Sequence, residues 1–308
     1  MAAEMVAPVN IPRFGHTSFR FTRAMELASR VVIGNTSSLR REVDSLENLV
    51  GIPQHAPIIL AVSHLSDTDL PIAGYALADR FDIAVTNQST QHSLRSGGIL
   101  HLGVVAAGQN NFYPITYEEQ FADGKKRIVA GRFNPDDYLR MVDGLGEGKA
   151  IAIAAHNPSH EEEPTLARHG GMAVPFLAEL AQAVIIPVGV VINRTNGERR
   201  VGMAETMAQD IITGIRHPSQ KPHAHVFIGR PLFPQGRDRE AEHYASLLRI
   251  QSYQQRRDER LKPEQEAELQ RLQALFRDRS SAVMRELARI LPQSARGVWQ
   301  QVLGQETL

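Results

Sequence analysis

The most informative stretch of the chain is Ser63-His64-Leu65-Ser66-Asp67-Thr68-Asp69-Leu70-Pro71. It pairs a histidine with an aspartate across four intervening residues. A histidine near its ordinary protonation range can take a proton from an attacking hydroxyl. A carboxylate on its other ring nitrogen would fix the tautomer and stabilise the imidazolium. That spacing alone arises easily by chance in a chain with 12 histidines, so its surroundings must carry the reading. On a regular helix, residues five apart point about 140° away from each other. The pair can meet only if a loop-to-helix turn brings it together.

The surroundings favour such a turn. Ile58-Ile59-Leu60-Ala61-Val62 is a short apolar run after a proline, which predicts a buried strand. Pro71 is tolerated in the first turn of a helix, so the helix should begin near Thr68 to Leu70. His64 then lies in the loop leaving the strand and Asp69 at the helix start. Ligand sites in open α/β sheets lie at the carboxyl ends of strands. The competing reading is a loop histidine with Ser66 or Asp67 capping the helix.

The rest of the chain supplies the elements to position that site. Residues 17–33 carry an apolar set interleaved with Arg20, Arg23 and Arg30, and Ser38–Leu49 also has helical spacing. These segments fit helices packed on a core, or alternatively a membrane-surface helix. From residue 57 strands and helices alternate. Helices are expected at 70–80, 94–107, 135–147 (with Asn134 as cap) and 171–182. Strands are expected at Ile58–Val62, Ile83–Val85, Ala150–Ala155, Val184–Ile192, Arg200–Ala204 and Ala224–Ile228. The pattern predicts an α/β fold with a mixed, largely parallel sheet flanked by helices. Helical N- and C-terminal segments would flank it: residues 1–50, a core of 51–235, and residues 236–308, broken at Lys262-Pro263.

Composition narrows the function classes. With 34 basic and 34 acidic residues the net charge is zero, which gives no general attraction to nucleic acid. The absence of cysteine excludes thiolate nucleophiles and ligands, and fits a reducing compartment. No apolar run reaches the roughly 18 residues that span a bilayer, and the first residues do not read as a signal peptide. The expected location is the cytoplasm, either in solution or peripheral at a membrane.

His156, His160, Glu161 and His169 cluster after a strand end and could ligate a metal. Pro158 between the two histidines opposes a helical His-Glu-x-x-His arrangement, so an acceptor-binding or solvated loop is the preferred reading. His223 and His225 share one face of a strand and read as packing or an exposed edge. Gly144-Leu145-Gly146-Glu147-Gly148 precedes a strand, and so reads as a helix stop rather than a phosphate loop.

The run from Ser63 to Asp69 resembles the His-x4-Asp motif of the glycerolipid acyltransferase superfamily, which includes lysophosphatidic acid and glycerol-3-phosphate acyltransferases. Over about residues 50–300 further segments resemble later motifs in order: Gly148–Ala155, Ala183–Val188, His225–Leu232, Glu286–Pro292 and Arg296–Trp299. The resemblance implies transfer of a fatty acyl group from acyl-CoA or acyl carrier protein to a hydroxyl, as in phospholipid biosynthesis. His64 would be the general base and Asp69 its orienter, with no metal or other cofactor. Partners would be the thioester donor, a lipid or other hydroxyl acceptor and a membrane surface.

The chain also departs from that family. Where the third motif has Phe-Pro-Glu-Gly-Thr-Arg-Ser, this sequence has Ala154-Ala155-His156-Asn157-Pro158-Ser159-His160. The counterpart of the second motif, in Gly108–Tyr117, contains no Arg or Lys. Arginine suits phosphate because its planar fork donates two charge-assisted hydrogen bonds. The acceptor is therefore expected to differ from glycerol phosphate, or its phosphate to be held by Lys125, Lys126, Arg127 or Arg132. Ser66, His156, Asn157 and Ser159 are the candidate acceptor-binding residues. The alternatives are an acyltransferase-like lipid-binding protein with impaired turnover, and a metal-dependent hydrolase using His156, His160 and Glu161.

Overall fold

A computed structural model of the chain describes residues 43–53, 55–65, 69–77, 80–81, 83–87, 112–114, 117–120, 126–129, 135–156, 165–193, 216, 223–234, 239–255 and 259–306. Its strands are β1 (Val43–Asp44), β2 (Ile58–Val62), β3 (Ile83–Asn87), β4 (Phe112–Pro114), β5 (Tyr117–Gln120), β6 (Lys126–Val129), β7 (Ala150–Ala154), β8 (Val184–Asn193) and β9 (His223–Ile228). Its helices are α1 (Asp69–Leu77), α2 (Pro135–Gly146), α3 (Ala173–Ala181), α4 (Arg239–Gln255), α5 (Pro263–Ile290) and α6 (Trp299–Glu306). No helix among the described residues is long and apolar enough to cross a membrane.

Seven strands form one sheet in the order β1-β9-β8-β2-β7-β3-β4. The five from β8 to β4 are parallel; β9 pairs antiparallel with β8, and β1 runs parallel to β9. The sheet is thus mixed and mostly parallel, with helices on both faces. Strands covered on both faces need apolar side chains at every position, and β2, Ile-Ile-Leu-Ala-Val, is buried throughout. Strands β5 and β6 form a separate antiparallel ribbon.

Alternate residues of β2 enter two cores. Ile58, Leu60 and Val62 pack with Leu70, Ile72 and Ala73 of α1. Ile59 and Ala61 pack on the opposite face with Val174 and Phe176 of α3, and that core continues into Tyr244 of α4 and Leu272, Phe276 and Leu287 of α5. The rings of Tyr138, Phe176, Tyr244 and Phe276 meet there at centroid separations of 5.0–5.9 Å. Arg279 of α5 binds Glu179 of α3 and, at 2.9 Å, Glu240 of α4, so one guanidinium ties three helices.

The helical spacing of Ser38–Leu49 does not survive folding in its described part. Val43 and Asp44 pair with Val226 and Phe227 of β9, Ser45 adopts a left-handed conformation (φ 62°), and only Leu46–Leu49 makes a single 3-10 turn. Leu49 is buried there and Asn48 Nδ2 donates to the Ile228 carbonyl at 2.7 Å. Pairing with a distant strand outweighs local helical preference. The expected helix at 94–107 and strand at Arg200–Ala204 lie outside the described residues, as does all of 17–42.

Pro187 stands inside β8, where a missing N–H would break a ladder. It falls where β9 ends: the Gly229 N–H donates to the Pro187 carbonyl at 2.8 Å, and a Cβ on Gly229 would come within 2.9 Å of the proline ring. Pairing resumes at Ile185 and Leu232. The proline therefore sits at an interruption in the pairing.

Candidate functional site at the ends of β2 and β7

Register determines what meets at the carboxyl edge of the sheet. Val62 of β2 is opposite Ala154 of β7 on one side and Val188 of β8 on the other. The pairing runs slightly past the strands: Ala155 N–H donates to the Val62 carbonyl at 2.7 Å, and Ser63 N–H to the Val188 carbonyl at 2.9 Å. The buried Ser63 hydroxyl then accepts the Val190 N–H at 2.9 Å. His64 and His156 are thus each the second residue beyond a matched pair. The His64 backbone N–H donates to Nε2 of His156 at 3.1 Å.

Beyond this level the two chains part. The one leaving β2 enters α1 on one face of the sheet, and the one leaving β7 reaches α3 on the other. Adjacent parallel strands whose continuations cross to opposite faces open a crevice between their ends, the usual ligand position in open α/β sheets. His64 and His156 lie next to each other at these two strand ends.

Helix α1 begins at Asp69, with Pro71 in its first turn, where a missing donor costs nothing because the first N–H groups of a helix have no internal acceptor. A carboxylate at that terminus is favoured by the helix dipole. Asp69 is fully buried, and its Oδ2 accepts the Leu65 N–H at 2.5 Å. The loop-to-helix turn therefore folds the carboxylate back against the residue after His64. His64 itself is half-buried, so it remains reachable from solvent.

The connection that follows His156 is anchored at its far end. Gly171 N–H donates to the Ala155 carbonyl at 2.7 Å, Leu166 N–H to Ala295 at 2.9 Å, and Trp299 Nε1 to Ala167 at 3.0 Å. Gly297 lies against Thr165. The C-terminal elements thereby fix Thr165–Gly171, the segment returning from the site to α3.

Of the residues singled out in sequence, His64, Asp69 and His156 come together around two consecutive amides. Ser66, Asn157, Ser159, His160 and Glu161 lie outside the described residues. Among the described residues no group of three His, Asp or Glu could hold a metal ion. His169 is exposed. His223 is exposed, and His225 stacks on Phe227 at 6.1 Å. Lys126 and Arg127 belong to β6, with Arg127 opposite Glu119, while Lys125 and Arg132 lie outside the described residues. Helix α2 ends at Gly146 with Gly148 at φ 85°, as expected of a helix stop. Ser63 and the Thr165–Gly171 anchor were missed in sequence. Ser63 is a polar residue directly after a fully apolar strand, and that placement is the signal for the first.

No family model matches this chain, and no curated protein sequence matches it.

Proposed function

We propose that the chain is an O-acyltransferase that moves a fatty acyl group from an acyl thioester to a hydroxyl acceptor. The observation that carries this reading is the clip of Asp69 onto Leu65, which brings a buried carboxylate back to the residue after His64 at the carboxyl ends of β2 and β7. The resemblance of the Ser63–Asp69 run to the His-x4-Asp motif supports the same chemistry.

In this mechanism His64 takes the proton of the acceptor hydroxyl as its oxygen attacks the thioester carbonyl carbon. The carbonyl π electrons move onto oxygen, giving a tetrahedral oxyanion. When the oxyanion collapses, the C–S bond breaks and the departing thiolate takes the proton from the His64 imidazolium. Asp69 orients the ring and stabilises its cationic form. Neither a redox step nor a metal enters this sequence of bond changes.

The donor is acyl-CoA or acyl carrier protein, and the protein works in the cytoplasm or against a membrane surface. The acceptor differs from glycerol phosphate, because the third-motif arginine position holds Ser159 and serine supplies no charge for phosphate. Purified protein should release thiol from an acyl thioester and form an ester with a suitable alcohol, without robust turnover of lysophosphatidate or glycerol-3-phosphate. Efficient turnover of either would overturn the altered-acceptor reading. Thiol release abolished by a chelator and restored by zinc would favour the metal-dependent hydrolase of His156, His160 and Glu161.

The substitution of His156 for the third-motif glutamate favours a second reading, an acyltransferase-like lipid-binding protein without turnover. Lipid binding with no thiol release from any thioester would select it.

A further inference from the structure

We infer that His156 is a positioning residue: as a neutral imidazole it holds the backbone of His64 through Nε2 and so sets where the His64 side chain stands at the ends of β2 and β7. The inference rests on the reading of His64 as the base. His156 is 2% exposed, so its polar atoms must find partners within the protein. Nε2 can accept the His64 N–H at 3.1 Å only if it carries no proton, which places the proton on Nδ1. An imidazolium has no acceptor and could not make this bond.

The next amide is held in a matching way. Leu65 N–H is taken by Asp69, a residue of α1 on one face of the sheet, while His64 N–H is taken by His156, on the connection toward α3 on the other. Two successive amides beyond the end of β2 are thus bound by side chains, after the strand-to-strand ladder has stopped. The placement of His64 depends on both. Register makes the His156 arm possible, because Val62 and Ala154 are paired and each histidine lies two residues further on. A glutamate at position 156, as in the family this sequence resembles, would present a negative charge to that amide. The histidine supplies a neutral acceptor.

The test combines a structural and a kinetic readout on the full chain. Nitrogen-15 spectra of wild-type protein should show His156 with Nδ1 protonated and Nε2 bare. The His64 amide should exchange slowly with solvent, become fast in His156→Ala, and slow again in His156→Gln, whose side-chain oxygen can accept the same bond. On a thioester substrate His156→Ala should lower kcat roughly 10²-fold with little change in KM, and His156→Gln should recover most of that loss. A protonated Nε2 in wild type, or a His64 amide whose exchange is unchanged in His156→Ala, would overturn the inference whatever the activity. If His156→Ala does not fold, the wild-type tautomer and the His156→Gln exchange rate still decide. Wild-type protein that consumes no thioester while the amide pattern holds would count against the acyltransferase reading and not against the His156–His64 link.

Discussion

Oδ2 of Asp69 lies 2.5 Å from the backbone nitrogen of Leu65, so a fully buried carboxylate at the start of α1 closes the turn that begins at His64. A buried, ionised acceptor makes a hydrogen bond about twice as strong as a neutral one. In the proposed mechanism the same carboxylate supports the imidazolium that forms when His64 takes a proton.

That relationship predicts a graded response at position 69. Asp69→Ala leaves a buried N–H unpaired and should cost roughly 2–3 kcal/mol in urea unfolding. Asp69→Asn keeps an oxygen for the Leu65 amide and should cost about half as much. Turnover should behave differently: Asp69→Asn should still lose about 10²–10⁴-fold, because the charge and not the bond supports the imidazolium. An Asn variant with wild-type rate would show that the carboxylate serves only the turn.

Gly297 should tolerate no side chain. Its φ is +55°, and a Cβ there would lie 2.8 Å from Thr165 Oγ1. Left-handed backbone and a close approach act together, so Gly297→Ala should destabilise by about 1–3 kcal/mol. The strain falls on the segment returning from the site, so amide exchange at Leu166 and at the Trp299 indole should quicken. Unchanged exchange at both would separate the C-terminal elements from the site.

Tyr244 gives the protein an alkaline limit. Burial among Phe176 and Phe276 pushes its hydroxyl up to about 12, while a hydrogen bond with Gln273 and the charge of Arg277 pull the other way. The folded state therefore binds this proton more tightly than the unfolded state. The resulting stability is complete below pH 10 and is lost as pH rises from about 10 to 12. The loss is on the order of 2 kcal/mol. Tyr244→Phe should flatten that part of the stability–pH curve, as read by urea midpoints between pH 9 and 12.

Sequence and structure agree where the signal is local. β2 and β7 are legible because strands covered on both faces are uniformly apolar and end at Ser63 and His156. The start of α1 is legible because Pro71 restricts where a helix can begin. The sheet order is not legible, because the crossing from β7 over β2 to β8 leaves no mark on either strand. β1 is hidden for a related reason: two residues pair in parallel with β9, some 180 positions away, and overrule a helical spacing. The bond from His64 to His156 spans 92 positions and exists only because Val62 pairs with Ala154. Sequence placed both histidines after strand ends, but only register brings them together.

The central claim is that His64 moves the proton. Its side chain is half-buried, and its own amide and that of Leu65 are held by other residues, so His64→Ala should fold with a melting temperature close to that of wild type. The decisive measurement is the rate of acyl-thioester consumption by His64→Ala against wild type, in the presence of a hydroxyl acceptor that wild type esterifies. A loss of about 10²–10⁴-fold at matched stability is the predicted result. A rate within a few-fold of wild type would contradict the account.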